Sequence, residues 1–216
     1  MRRILYAGDS TAAFNKIDSY PQAGLSQGLL WYTKDDVFVR SFAVNGRSTK
    51  SFIDEGRLKM IEEEIEDGDI LLIGFGHNDE KENDPSRYAP AFSDYKDNLK
   101  KMIAVAKNAK AFPVIITSIA RRNFDETGLF LPGSHGDYPG AAIETAAECG
   151  IPYIDLCSMS EEYIAKIGDH ASRPLFVYPK DNTHLSVDGA IIFAGFVAEG
   201  LRKLGAPYAD LFISHP

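Results

Sequence analysis

Short apolar runs rich in Ile, Val, Leu and Phe alternate along this chain with longer amphipathic stretches. The apolar runs are hydrophobic almost without interruption, which is typical of strands buried on both faces in a parallel sheet covered by helices. Five runs predict strands, at residues 3–7, 37–44, 69–75, 112–118 and 152–156. The stretches between and after them predict helices at residues 24–32, 51–66, 86–108, 138–149, 158–168 and 186–204.

The regular alternation of strand and helix predicts a three-layer α/β/α sandwich with a five-stranded parallel sheet and right-handed crossovers. The 216 residues show no internal repeat, low-complexity segment or linker, and we expect one domain over 1–216. Ser186 and Gly205 stand where caps of the last helix belong. Two polar stretches, residues 79–90 and 121–139, predict long loops, and in such folds long loops at the carboxyl ends of strands build the site.

A triplet with candidate chemistry follows the first predicted strand. It is Gly8-Asp9-Ser10, which places a serine hydroxyl at the carboxyl edge of the sheet, where ligands bind in doubly wound folds. Alone the triplet is a weak signal, because turns and helix caps are rich in these residues.

Three further positions lie where a serine hydrolase would need them. Gly46 follows the second strand, Asn78 follows the third, and Asp181 precedes His184 just before the last helix. Each has a plain alternative, since Gly46 fits a turn, Asn78 an Asx-turn and Asp181 a helix cap. Acyl transfer, however, needs a nucleophile, a base, an orienting group and anion-binding donors that converge on one point. The four motifs together favour that function.

The motifs resemble the four signature blocks of the SGNH (GDSL-like) hydrolase superfamily, which carry Ser, Gly, Asn and His. Here they match Ser10, Gly46, Asn78 and His184, and the implied fold is the flavodoxin-like SGNH fold. The chain further resembles the rhamnogalacturonan acetylesterase family, from residue 8 to about 195. The segments that carry this likeness are 45–52, 75–79, 121–125, 135–139 and 181–186. One departure is the short segment 176–180, where relatives often carry a longer loop. The resemblance therefore does not define the shape of that wall of the cleft.

The resemblance implies a serine esterase without a metal or organic cofactor. Ser10 would be the nucleophile, His184 its base and Asp181 the group that orients the imidazole. The oxyanion would be held by the backbone N–H groups of Ser10 and Gly46 and by the side chain of Asn78. The expected substrate is a small-molecule or oligosaccharide acetyl ester.

Four more side chains are candidates for substrate binding. His77 can line the cleft or satisfy a loop carbonyl, and His135 lies in a glycine-flanked loop. Arg47 and Arg121 follow strand ends and suit a carboxylate-bearing sugar, although Arg47 can equally pair with nearby acids. We expect the Trp31 side chain to pack in the core or in a wall rather than to stack against a sugar ring.

Charge and the absence of long apolar runs narrow the classes of partner. The net charge of −8 disfavours nonspecific nucleic-acid binding, which needs a basic face. No apolar run is long enough to span a membrane, and the basic N-terminus precedes too few apolar residues for a signal segment. We therefore expect a cytoplasmic protein, or a secreted one if a leader was trimmed. Cys149 and Cys157 are expected as free thiols, and the oligomeric state stays open.

Two other functions are compatible with the same motifs. A lipase or thioesterase of the same superfamily would need an extended apolar groove, whereas residues 11–18 and 79–87 are polar. A noncatalytic carbohydrate-binding protein would not need Ser10, Asp181 and His184 together.

Overall fold

The computed structural model of the protein describes residues 2–213. Its centre is a parallel sheet in which every neighbouring pair of strands runs the same way. The strand order is β2-β1-β3-β4-β5, so the chain moves outward on one side of β1 and then crosses to the other side. The predicted five-stranded parallel sheet is confirmed. The strands are β1 Arg2–Gly8, β2 Val37–Ser41, β3 Ile70–Gly74, β4 Phe112–Ile116 and β5 Tyr153–Ile154.

Helices follow the strands along the described chain, as the alternating pattern predicts. A π-helical turn, Ala91–Tyr95, leads into the fourth α-helix. The predicted cap of the last helix is confirmed, because the Ser186 Oγ accepts a hydrogen bond of 3.1 Å from the Gly189 N–H. The α-helices are α1 Leu25–Leu29, α2 Thr49–Asp54, α3 Arg57–Glu64, α4 Lys96–Asn108, α5 Tyr138–Cys149, α6 Leu156–Ser172 and α7 Val187–Lys203.

Two hydrophobic layers cover the sheet because successive strand residues point to opposite faces. On one face Ile4 and Tyr6 of β1 pack with α1, α6 and α7. On the other face Leu5 and Ala7 pack with α2, α3, α4 and α5. The three-layer α/β/α sandwich is therefore confirmed. All strands are parallel, so the loops that follow them lie along one edge of the sheet.

Several predicted boundaries were wrong for local reasons. The helix predicted at 51–66 is two helices, because Gly56 adopts a left-handed φ of +74° between them. The helix predicted at 86–108 begins only after Pro90, since a proline is disfavoured inside a helix. The α6 helix is longer than predicted and carries a break at Gly168. The last strand, predicted at 152–156, is reduced to two paired residues.

Three other features of the fold bear on the predictions. Trp31 is 67% exposed, which corrects its expected place in the core or a wall. It lies just after α1, near the amino end of β2 and thus opposite the edge where the strand-following loops meet. Cys149 and Cys157 are free thiols, as predicted. Within residues 2–213, no helix is both long and apolar enough to cross a membrane.

Candidate active site

Ser10 lies two residues beyond the end of β1, in a turn built by its neighbour. The buried Asp9 carboxylate accepts hydrogen bonds from the Thr11 backbone N–H (2.9 Å) and from the Thr11 hydroxyl (2.8 Å). These bonds turn the chain sharply away from the strand direction, as in an Asx-turn. Ser10 itself is 6% exposed, so its hydroxyl is held in a partly closed site rather than on open surface.

The Ser10 hydroxyl is the first member of a hydrogen-bonded chain of three side chains. Its Oγ lies 3.1 Å from the His184 Nε2, and the His184 Nδ1 lies 3.0 Å from the Asp181 Oδ2. Burial raises the pKa of Asp181, but hydrogen bonds from the backbone N–H groups of His184 and Thr183 and from the imidazole outweigh it, and the net shift is downward. The ionised carboxylate fixes the imidazole with Nε2 directed at the hydroxyl, the arrangement that activates a serine.

The segment 181–184, which we call the base loop, is held by two consecutive arginines that follow β4. The Arg121 guanidinium donates to the Thr183 hydroxyl at 2.6 Å. The Arg122 backbone N–H donates to the Asn182 carbonyl at 2.8 Å, and its side chain donates to the Asn182 Oδ1 at 2.9 Å. The Arg122 side chain is buried and also pairs with Asp169. The base loop therefore takes its position from the loop after β4.

Two backbone N–H groups, those of Ser10 and Gly46, have no protein acceptor among the described residues and can donate to a developing negative charge. Gly46 adopts a φ of +79°, a conformation that suits glycine. A hydrogen bond of 3.1 Å from the Val44 N–H to the Gly8 carbonyl brings the loop after β2 beside the end of β1. In the part of the chain that the structure describes, the N–H groups of Ser10 and Gly46 donate to no protein acceptor. Both are free to bind an anionic oxygen.

The side-chain amide of Asn78 is fixed from both ends. Its Nδ2 donates to the Arg47 carbonyl at 3.1 Å, which ties the loop after β3 to the loop that carries Gly46. Its Oδ1 accepts from the Lys81 ammonium at 2.9 Å and from the Arg87 guanidinium at 3.4 Å. The two cations hold the amide oxygen, so the NH2 group faces the Gly46 loop, where its second hydrogen remains for a ligand.

Two buried histidines in edge-on contact lie beneath these groups. The His77 Nδ1 lies 3.4 Å from the Asp9 Oδ2, and its ring meets the His135 ring edge-on at 4.4 Å between centroids. Burial, followed by the nearby His135, lowers the pKa of His77 and keeps the ring neutral. His77 is only 4% exposed, so it lies under the site rather than along an open cleft wall.

The structure corrects the expectation that His135 contacts substrate. Its side chain is fully buried, with Nδ1 at 2.9 Å from the Glu80 carboxylate and Nε2 at 2.8 Å from the Ile119 carbonyl. Both ring nitrogens are thus used within the protein. Glu80 also binds Arg121 at 2.5 Å, so Arg121 is engaged by Glu80 and Thr183 and supports the base loop. Its contact with substrate stays a prediction.

Arg47 lies to the side of the nucleophile, in a cleft of about 580 Å³ that Gly46, Lys50 and Arg87 also line. Its guanidinium pairs with Glu55 at 3.0 Å, the alternative that its sequence context left open. Among residues 2–213, no group of three or more His, Cys, Asp or Glu side chains is arranged to hold a metal ion.

A buried carboxyl group supports the loop after β3. Asp79 is completely buried, and its Oδ1 accepts from the Thr49 backbone N–H (2.9 Å) and from the Thr49 hydroxyl (2.5 Å). Burial raises the pKa of Asp79 to about 8, so the group is largely protonated at neutral pH. It anchors the start of α2, and with it the Gly46 loop, to the residue after Asn78.

Sequence reasoning missed the residues that support the site. Glu80 and Lys81 follow Asn78 within three positions, and Thr183 lies inside the base loop. The sequence carried one signal for Glu80 and Lys81, their position directly after the third strand. Charged side chains at such positions lie at the carboxyl edge of the sheet. Their partners, however, come from distant loops, which a single sequence does not reveal.

Comparisons with known proteins identify the family of this chain. Residues 6–190 match the model of the GDSL-like lipase/acylhydrolase family. The chain belongs to this family. The rhamnogalacturonan acetylesterase RhgT of Bacillus subtilis (strain 168) is 38% identical over 224 residues, which cover 98% of this chain and 94% of that protein. The resemblance stated from the motifs is confirmed.

Solved structures show the same fold for this GDSL-like chain. A crystal structure of the Bacillus subtilis protein YXIM has a TM-score of 0.85 and 26% identity, over 95% of this chain and 57% of that chain. A catalytic mutant of an acetylxylan esterase from Geobacillus stearothermophilus has a TM-score of 0.67 and 15% identity over 95% of each chain. The second likeness supports the fold alone.

Proposed function

We propose that this GDSL-like protein is a serine esterase that removes acetyl groups from carbohydrate. The observation that carries the proposal is the hydrogen-bonded chain from Ser10 through His184 to Asp181, beside free N–H groups at the same edge of the sheet. A hydroxyl, an oriented imidazole and anion-binding donors are together the requirements of acyl transfer.

In the first half of the reaction the Ser10 Oγ attacks the acetyl carbonyl while the His184 Nε2 takes the hydroxyl proton. The carbonyl oxygen becomes an oxyanion, which the N–H groups of Ser10 and Gly46 and the Asn78 amide stabilise. The imidazolium then gives its proton to the sugar oxygen, the ester C–O bond breaks, and the sugar leaves with a free hydroxyl. Ser10 is left acetylated.

In the second half a water molecule replaces the sugar. The neutral His184 removes a proton from the water, which attacks the acetyl-serine carbonyl, and the same donors hold the second oxyanion. When the bond to the Ser10 Oγ breaks, the serine recovers a proton from the imidazolium, and acetic acid departs and loses its proton to the solvent as acetate. Asp181 keeps the imidazole in one tautomer throughout and stabilises its charged form.

Two observations favour an acetylated carbohydrate as the substrate. The relative at 38% identity is named for an acetylesterase that acts on rhamnogalacturonan, and it matches this chain over nearly its whole length. The described surroundings of Ser10 and Asn78 also carry charged side chains such as Lys81 and Arg87, which disfavour a long acyl chain.

The test compares substrates and a nucleophile variant. Acetate release from acetylated oligosaccharides is measured beside hydrolysis of chromogenic acetyl, butyryl and octanoyl esters. We expect the acetyl ester to be preferred and acetylated oligosaccharides to release acetate, with both activities absent in Ser10→Ala. A preference for the octanoyl ester without acetate release from sugars would instead support a lipase or thioesterase.

A further inference from the structure

A groove runs beside the segment that follows Ser10. We call it the loop groove. Its first hollow, of about 430 Å³, lies next to α7 and is lined by Tyr20, Pro21, Arg173, Tyr178 and Val187. The second, of about 220 Å³, shares Tyr20 and Val187 and adds Ile17 and Gln22. The third, of about 290 Å³, continues past Asn15 and Lys16 to Asn45.

The first hollow lies beside the residues that follow His184, the general base. The Ala23 N–H donates to the Leu185 carbonyl at 3.0 Å, and Gln22 pairs with Ser186 in an antiparallel bridge. Leu185 directly follows His184, so the chain that carries Tyr20 is hydrogen-bonded to the residues after the base. The third hollow ends at Asn45, directly before Gly46. The loop groove is therefore lined at one end by a residue close to His184 in the chain, Ser186, and at the other end by the residue before Gly46.

Several large apolar side chains of the loop groove are exposed. Ile17 is 88% exposed and Tyr20 is 71% exposed, and three more large side chains are exposed by about two fifths. A contiguous set of this kind marks a binding surface rather than scattered surface apolar residues. The three other residues are Phe14, Tyr178 and Val187.

Hydrogen-bonding side chains lie between these apolar groups. Asn15, Lys16 and Gln22 line the two smaller hollows, and Arg173 and Asp188 line the largest. A pyranose ring presents C–H groups on its faces and hydroxyls around its rim. Its faces can pack on aromatic rings, whose π-face is electronegative, while its hydroxyls meet the polar side chains. An acyl chain would leave those polar groups desolvated and unpaired.

One wall of the largest hollow is rigid. The Tyr178 ring lies against two guanidinium groups, those of Arg122 and Arg173, at 4.9 and 5.0 Å from the ring centroid. Arg173 is itself paired with Asp169. A ring held in this way costs little entropy when a ligand packs against it, and the hollow falls within the size of small-molecule sites, roughly 300–1,000 Å³.

We infer that the loop groove is a saccharide-binding subsite, with Tyr20 as its main contact, which holds sugar units next to the one that carries the acetyl ester. The inference rests on the proposed function and deepens it. It makes the protein an esterase of oligosaccharides rather than of isolated acetylated sugars, because binding energy from neighbouring units holds the ester at Ser10.

The experiment uses the full chain and three variants. Tyr20→Ala removes the exposed ring, Tyr20→Phe keeps it, and Trp31→Ala is the matched control, an exposed aromatic residue far from this edge of the sheet. For each we measure kcat and KM on acetylated oligosaccharides, on p-nitrophenyl octanoate and on p-nitrophenyl acetate, which is too small to occupy the loop groove. Thermal unfolding checks that each variant is folded.

We expect Tyr20→Ala to raise KM for the oligosaccharide roughly three- to tenfold, the range of one aromatic contact. Hydrolysis of p-nitrophenyl acetate should be unchanged, and Tyr20→Phe and Trp31→Ala should match the parent on both substrates. Unchanged oligosaccharide kinetics in Tyr20→Ala would overturn the subsite and leave the proposed function intact. A loss confined to octanoyl esters would assign the groove to acyl chains, and parent protein that releases no acetate from sugars would refute the proposed function itself.

Discussion

The Ser10 Oγ lies 3.1 Å from the His184 Nε2, although 174 positions separate the two residues in the chain. The contact joins the loop after the first strand to the loop before the last helix. It depends on β1 lying inside the sheet, where loops from both sides reach the same point.

The first prediction concerns this pair. Ser10→Ala and His184→Ala should each reduce kcat for an acetyl ester by on the order of 10⁴-fold or more, and the double variant should be little worse, because the two groups act as a unit. Thermal unfolding should remain close to that of the parent. Additive losses in the double variant would contradict a shared proton transfer.

The second prediction tests the amide of the oxyanion site. Asn78→Ala should lower kcat by about 10²- to 10³-fold with little change in KM, since the oxyanion exists only in the transition state. Asn123→Ala, at an exposed asparagine of the loop after β4, is the control and should behave like the parent. A change in KM alone would place Asn78 in ground-state binding instead.

The third prediction concerns the ammonium that holds this amide. Lys81→Met removes the 2.9 Å donor to the Asn78 Oδ1 and should lower kcat roughly tenfold, the range for a charge-assisted hydrogen bond. Lys81→Arg should recover part of the rate because it restores a cationic donor. An unchanged kcat in Lys81→Met would show that the Arg47 carbonyl and Arg87 alone orient the amide.

The fourth prediction addresses the base loop. Thr183→Val removes the acceptor for Arg121 and should lower kcat about tenfold, because the imidazole loses part of its orientation. The control is Thr127→Val, where the threonine also bonds to a neighbour, Asp125, but far along its loop. Full activity in Thr183→Val would show that the contacts of Arg122 suffice.

The fifth prediction follows from the raised pKa of Asp79. The folded-state pKa of about 8 exceeds the ordinary value of 3.8, so the folded protein binds this proton more tightly than the unfolded chain does. The contribution of Asp79 to stability is therefore complete below about pH 4 and is lost as pH rises to 8, with a slope of at most about 1.4 kcal/mol per pH unit.

Asp79→Asn mimics the protonated group and should flatten this dependence. Chemical denaturation at pH 5, 7 and 9 should show the variant gaining stability relative to the parent as pH rises. Parallel curves for the two proteins would mean that Asp79 is ionised in the folded state, in spite of its burial.

The sheet and the meeting of Ser10, His184 and Asp181 at one edge could be predicted because their signals are local. Unbroken apolar runs mark the strands, and motifs directly after strands share one edge. His135 was predicted wrongly because a histidine in a glycine-flanked loop gives no sign of its burial, which comes from Glu80 and the Ile119 carbonyl. The break at Gly56 and the short β5 were missed for a related reason, since packing decides how far each element continues.

The base loop has no strand or helix of its own and is held by bonds from two arginines. Its opening would expose little apolar surface, so it costs less free energy than melting the sheet. Heating should therefore abolish activity at a temperature where the sheet and its helices are still folded. We expect the upper working temperature of this esterase to depend on the few contacts that hold the base loop, those around Thr183 and Asn182 and the backbone bonds to Val177, so that it can be raised there without altering the core.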